Sequence, residues 1–272
     1  MVLPLSRRFE HVGLLGCGRM GAAMGGHLLD ARAALAVYDP NADACAELVE
    51  RGAVACASAG EVAARSELVL VVVVDDAQTR AAVAGCLETA QPGTVLALCA
   101  SIRPDTCREL AALGAQHGLH VIDTALVRGE RGAEEGRLAL FCGGPADVID
   151  AIRPAVAPFA ADVVRVGDVG TGQVAKTANN ILLWACIRAD FEALQLGSAL
   201  GVEPSALREA IALGSGANRP LEEWGKHRLR WPRKDLEVAL ALAEEAGVET
   251  PLVAALPALM EELSVDDLAE LS

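Results

Sequence analysis

Lysine is nearly absent from this 272-residue chain. Of its 23 basic residues only Lys176, Lys226 and Lys234 are lysines, and the other 20 are arginines. Arginine stays protonated at any working pH, whereas a buried or crowded lysine can lose its proton, so each retained lysine is a candidate for chemistry. Positive charge as a whole is also in deficit. The formal net charge of −14 repels phosphate backbones and argues against a nucleic-acid partner. The eight cysteines never stand in a C-x-x-C pair and the five histidines show no ligand spacing. Neither a disulfide framework nor a metal site is therefore expected, and scattered cysteines among apolar residues read as buried free thiols in a reducing compartment. No long hydrophobic run is present either. The longest, Leu68–Val74, falls far short of the ~20 residues that span a bilayer. The opening MVLPLSRR has too short an apolar stretch, with its charges on the wrong side, to read as a targeting signal. The reading is a cytoplasmic protein with no membrane partner.

What is present is a regular alternation. Short β-type runs at His11–Leu15, Leu35–Tyr38, Leu68–Val74, Thr94–Leu98, Leu119–Ile122, Leu138–Cys142 and Val163–Val166 alternate with alanine-rich helical stretches, including one from Asn41 to Arg51. This predicts an α/β domain of Rossmann type, with a mostly parallel sheet, over residues 1–166. From residue 167 the β-type runs cease. A long helix over 171–200 and further helices at Pro204–Leu213, Leu221–Arg228, Pro232–Ala246 and Pro251–Leu271 predict an all-helical C-terminal domain over 167–272.

The segment Gly16-Cys17-Gly18-Arg19-Met20-Gly21 is a G-x-G-x-x-G that directly follows the first strand and opens a helix. In that setting the first glycine makes a tight turn, the second admits a pyrophosphate against the backbone, and the third lets helix and strand pack closely. The helix start then offers N–H groups to the phosphates. Asp39 ends the second strand 18 residues after Gly21, the spacing of a carboxylate that binds a ribose 2′-hydroxyl. Pro40, Asn41 and Ala42 follow it, and none can neutralise a 2′-phosphate. The expected cofactor is NAD, with NADP the less favoured choice. Asp75 and Ser101 follow later strands at the carboxyl edge, where ligands of open parallel sheets sit. Ser101 reads equally well as a cofactor contact or as a helix cap near Pro104.

The long helix begins Gly170-Thr171-Gly172-Gln173-Val174-Ala175-Lys176-Thr177-Ala178-Asn179-Asn180. Lys176 and Asn180 share one face, with Gln173 near it one turn earlier. Such a face is either exposed or lines a polar pocket. This G-x-G-x-x-x-K-x-x-N-N stretch resembles the catalytic signature of the β-hydroxyacid dehydrogenase family. GLLGCGRMGAAMGGHLL at the N-terminus, Asp123-Thr124-Ala125-Leu126-Val127-Arg128-Gly129 with its following glycines, and Lys234-Asp235-Leu236 resemble three further motifs of that family, in the family's order. The resemblance implies an NAD-dependent dehydrogenase or reductase acting on a small acidic hydroxy or carbonyl compound. It assigns Lys176 as general acid/base, Asn180 as substrate holder and Lys234 as a cofactor contact, and it implies a homodimer or homotetramer. Asp235 is expected to be structural.

The sequence departs from the family pattern in the substrate loop. The usual Ser-Gly-Gly is Val127-Arg128-Gly129, so Arg128 either reads an anionic head group, as in the similar sulfolactaldehyde reductases, or pairs with Glu130, Glu134 or Glu135. The helical domain is also short, with 19 residues between Gly214 and Lys234. An imine reductase of the same architecture and a non-catalytic dinucleotide sensor are the competing readings. Lys176 argues against the first and the Lys176–Asn180 pair against the second.

Overall fold

The computed structural model describes residues 9–272; the targeting-signal reading of residues 1–8 lies outside them. Two compact units divide between Lys176 and Thr177.

The first unit is built on one eight-stranded sheet. Its strands are β1 (His11–Leu15), β2 (Ala34–Tyr38), β3 (Val54–Ala55), β4 (Leu68–Val71), β5 (Val95–Leu98), β6 (His120–Val127), β7 (Leu138–Gly143) and β8 (Ala160–Gly167), in spatial order 3-2-1-4-5-6-7-8. All neighbours run parallel except β6 and β7, which are antiparallel. Helices α1 (Arg19–Asp30), α2 (Ala46–Glu50), α3 (Ala59–Ala64), α4 (Asp76–Leu87), α5 (Pro104–Gln116), α6 (Gly129–Glu134) and α7 (Ala146–Val156) connect them. The two faces of the sheet explain why the strands are apolar throughout. Leu68 and Leu70 of β4 and Val95 and Ala97 of β5 face one core with Met24 and Leu28 of α1. Val69, Val71, Leu96 and Leu98, the alternate residues, face a second core with Val62 of α3, Val83 of α4 and Leu110 of α5. A strand buried on both faces cannot alternate with polar residues.

The second unit is helical: α8 (Thr171–Ala199) continues into it from the first, followed by α9 (Pro204–Ala212), α10 (Arg219–Glu222), α11 (Pro232–Ala246), α12 (Pro251–Glu261) and α13 (Val265–Glu270). Its core joins Trp184, Ile187 and Leu194 of α8 to Leu221, Leu236, Leu256 and Met260. Asp235 accepts a hydrogen bond from the Trp184 indole N–H at 3.1 Å, a packing role.

Several elements differ from the sequence reading. The expected helix Asn41–Arg51 is a 3₁₀ turn (Ala42–Cys45) followed by the short α2, because the Asn41 side chain accepts the Asp43 N–H and tightens the first turn. Residues 221–228 hold only the end of α10, which Asn218 caps and which gives way before Gly225 (φ 77°). Pro251–Leu271 is two helices, split where Ser264 and Asp267 form a capping box. The run at Leu68–Val74 leaves the sheet after Val71. The two-residue β3 was too short to show a period.

Candidate active site

The glycine loop turns at the carboxyl end of β1, and its backbone is tied to β2. The Gly16 N–H donates to the Tyr38 carbonyl at 3.0 Å, and the Cys17 N–H donates to the Asp39 carboxylate at 2.8 Å. The other Asp39 oxygen accepts the Asn41 N–H at 2.9 Å. An ionised carboxylate offers about four acceptor positions, so ribose hydroxyls can still be received. The Cys17 side chain is buried, with its sulfur 2.9 Å from that of Cys45. Burial, first, and Cys45, second, push the Cys17 thiol well above its ordinary value. All eight cysteines are free thiols, six of them buried, with Cys56 and Cys186 partly exposed.

The three glycines are required for different reasons. Gly16 lies at φ +95°, and a Cβ there would run into the Val72 carbonyl. At Gly21 a Cβ would overlap the Gly16 carbonyl. Around Gly18 a Cβ would meet nothing within 4 Å. The folded chain itself therefore places no demand on Gly18. The free space over it, at the head of a helix that no side chain caps, suits a bound pyrophosphate. Arg19 and Met20 complete the loop. Arg19 is exposed and pairs with Glu130 at 3.1 Å, and Met20 packs against the core.

Asp75 and Ser101 flank this edge of the sheet. Asp75 is the N-cap of α4, with its carboxylate accepting the Gln78 N–H at 2.8 Å. Ser101 is exposed. The helix-cap alternative for it does not hold, because α5 starts from Arg103 with Pro104 in its first turn.

The lysine helix is anchored to the same edge. Asp123, paired in register with Leu98 at the end of β5, is completely buried. Its carboxylate accepts the Gly170 N–H at 2.6 Å and the Gln173 N–H at 3.0 Å, which caps α8 from the sheet. Burial raises the Asp123 pKa and these backbone donors oppose the rise. The Gln173 amide, also buried, donates to the Ala100 carbonyl at 2.8 Å and accepts the Ile102 N–H at 3.3 Å. These bonds tie the start of α8 to the sheet of the first unit. Lys176 lies half-buried one helical turn beyond Gln173, and Asn180 follows a turn later, buried. Lys234 is the third residue of α11, half-buried in the second unit.

The segment expected as a substrate loop is mostly strand. Residues 123–127 pair with β7 as part of β6, and only Arg128 (φ 82°) and Gly129 (φ 62°) form a left-handed turn. Arg128 bonds neither Glu130, Glu134 nor Glu135. Its guanidinium donates to the Asp162 carboxylate at 2.5 Å and to the Arg137 carbonyl at 2.9 Å. Sequence reasoning missed the roles of Asp123 and Gln173. The only signal was Gly172, where a Cβ would crowd the carboxylate.

Comparison with known proteins gives the family. Residues 11–167 match the family model described as the NAD binding domain of 6-phosphogluconate dehydrogenase, and residues 170–271 match the one described as NAD-binding of NADP-dependent 3-hydroxyisobutyrate dehydrogenase. A 3-hydroxyisobutyrate dehydrogenase of Pseudomonas aeruginosa is 32% identical over 261 residues, 89% of this chain and 88% of that one. The chain belongs to the β-hydroxyacid dehydrogenase family. It is an NAD(P)-dependent oxidoreductase. An NAD-dependent L-serine dehydrogenase of the same organism is 31% identical to this dehydrogenase over 226 residues, 82% of this chain and 74% of that one. Among solved structures, the Mycobacterium tuberculosis 3-hydroxyisobutyrate dehydrogenase with L-serine shares the fold at TM-score 0.87 and 24% identity, covering 96% of this chain and 98% of that one. A Streptomyces aurantiacus imine reductase shares it at TM-score 0.67 and 22% identity, covering 96% and 98%. Among the described residues no cluster could hold a metal ion, and no helix is long and apolar enough to cross a membrane.

Proposed function

We propose that this dehydrogenase interconverts a small acidic hydroxy compound and its carbonyl form, with NAD as cofactor and Lys176 as general acid/base. The observation that carries the reading is the anchoring of the lysine helix. Asp123 and Gln173 tie the start of α8 to the carboxyl edge of β5 and β6, the same edge that bears the glycine loop. This supports a lysine near the ligand side of the sheet, in a chain whose other basic residues, Lys226 and Lys234 apart, are arginines. The cofactor, when bound, would supply the hydride acceptor for oxidation and, in its reduced form, the hydride donor for reduction. Lys176 takes the hydroxyl proton in oxidation and returns it to the carbonyl oxygen in reduction, a role that contributes about 10²–10⁴-fold. Asn180, one turn along α8, is assigned to holding the substrate, and so is the backbone of Val127 and Gly129 at the turn that follows β6. Arg128 is assigned to holding that turn, since its guanidinium is already committed to Asp162 and Arg137. Lys234 is assigned to the cofactor.

The preference for NAD rests on Asp39. The cavity beside it, about 380 Å³, has Asp39 and Glu50 as its charged lining residues, and both repel a 2′-phosphate. The family description naming NADP makes the test necessary: kcat/KM for NAD should exceed that for NADP, and the reverse order refutes the assignment. For Lys176, the alanine variant should bind NADH normally and lose at least ~10²-fold in turnover. Near-wild-type turnover overturns the mechanism. A screen of NADH oxidation across small acidic aldehydes and keto acids, carboxylated, sulfonated and phosphorylated, names the substrate. NADH binding with no turnover of any would favour a sensor. The helical unit is proposed to carry a dimer or tetramer contact, which sedimentation would show.

A further inference from the structure

A long helix is ordinarily capped by a side chain next to its own start. Here the local candidates are employed elsewhere: the Asp168 carboxylate points out to Arg165 at 3.4 Å, and the Thr171 hydroxyl donates to the Asp168 carbonyl at 2.7 Å. The cap comes instead from Asp123, 47 residues earlier and on a different element. The chain has cleared space for it. A Cβ at Gly172 would stand 2.6 Å from one carboxylate oxygen, and a Cβ at Gly143 would collide with the other. Burying a carboxylate is costly unless it is fully hydrogen-bonded, and local capping would avoid that cost. What the distant cap adds is a fixed axial and rotational setting of α8 against β6, which a local cap cannot give. Gln173 adds the second constraint, because its two amide bonds fix the backbone on both sides of Ser101.

We propose that Asp123 and Gln173 are positioning residues: Asp123 sets the place of Lys176 through the register of α8, and Gln173 sets the place of the Ser101 segment. The proposal rests on the reading of Lys176 as the general acid/base. A misplacement of about 1 Å at a reacting group costs on the order of 10²-fold, so small shifts of α8 are enough to matter.

Asp123→Asn is the decisive variant, since it keeps the shape and one acceptor oxygen but sets an NH₂ against one of the two backbone donors. With NAD and L-serine or 3-hydroxyisobutyrate as probe substrates, kcat should fall by about 30-fold or more while the Kd for NADH stays within about threefold. In the Lys176→Ala background the same change should cost less than about threefold, because a residue acting through Lys176 has nothing left to position. A purely structural role gives equal losses in both backgrounds and overturns the proposal. Lys176→Ala with wild-type turnover overturns the lysine reading and, with it, the proposal. Gln173→Met should raise the KM for NAD about tenfold with kcat within about threefold, the opposite split. An activity-independent arm uses amide hydrogen exchange. Asp123→Asn should speed exchange at Gly170 and Gln173 at least tenfold and leave β1 and β4 unchanged. Unaltered exchange at both amides refutes the cap even if neither probe is turned over.

Discussion

Replacing two glycines of the same loop should separate folding from cofactor binding. At Gly21 a Cβ would overlap the carbonyl oxygen of Gly16 and stand 3.0 Å from its carbon. The oxygen is the nearer obstacle, and clearing it to an ordinary contact of at least about 3.0 Å means that α1 must lift from the loop by about 1 Å or more. The obstacle is backbone, which cannot rotate away. Overpacking of this kind costs about 1–3 kcal/mol. For a chain of this size that corresponds to a Tm lower by about 2–10 °C. The lifted helix also withdraws N–H groups from the phosphates, and a charged hydrogen bond worth about 1.5–3 kcal/mol is at least tenfold in affinity. At Gly18 the backbone is at φ −64°, open to any residue, and a Cβ meets nothing within 4 Å. Gly18→Ala should therefore leave Tm within about 1 °C of wild type and still weaken NADH at least tenfold, because its methyl occupies the space reserved for the pyrophosphate. Differential scanning fluorimetry and NADH fluorescence titration read both quantities. Unchanged NADH affinity in Gly18→Ala refutes the placement of the cofactor over this residue. An unshifted Tm in Gly21→Ala refutes the packing account.

Other expectations concern groups away from the loop. Arg128→Ala should lower Tm by a few degrees, as loss of an ion pair worth up to about 1 kcal/mol and a carbonyl contact implies, with KM changed less than threefold. A tenfold rise in KM for acidic substrates returns Arg128 to the substrate. Asp190 of α8 is buried, with one oxygen accepting from Asn218 at 2.9 Å and the other unpartnered, and burial raises its pKa. A raised folded pKa means stability present at low pH and lost as pH rises through that value. Asp190→Asn should therefore gain about 1 kcal/mol at pH 7, with the gain shrinking in acid, as urea melts at both pH values would show. His120 has an unpartnered, buried Nε2, and burial depresses its pKa against the opposing pull of Asp147. Its protonation favours the unfolded chain, so stability is lost as pH falls below the ordinary value of 6.5, and His120→Gln should flatten that slope between pH 7 and 5.

The sequence by itself determined the features that local geometry and periodicity fix. The glycine loop, the strand before it and Asp39 eighteen residues on are short-range requirements of one turn and one strand, and all three stand where the spacing put them. The two-faced burial of β4 and β5 was legible as unbroken apolar runs, and the start of α1 and the boundaries of α8 and α11 followed from glycine and proline. Elements without a period of their own were not legible. β3 is two residues long, and the far half of β6 exists because β7 returns antiparallel beside it.

The tertiary structure alone decided what each polar residue touches. Arg128 could have faced substrate or a neighbouring glutamate, and it bonds Asp162, 34 residues away, because β8 lies next to β7. Asp123 looked like one residue of a motif. It became the cap of the lysine helix only when the sheet brought it within hydrogen-bond reach of Gly170 and Gln173. The physical reason is the same in both cases. Backbone preferences act over a few residues and leave their mark in sequence spacing, whereas the partner of a buried charge is set by which distant element packs against it.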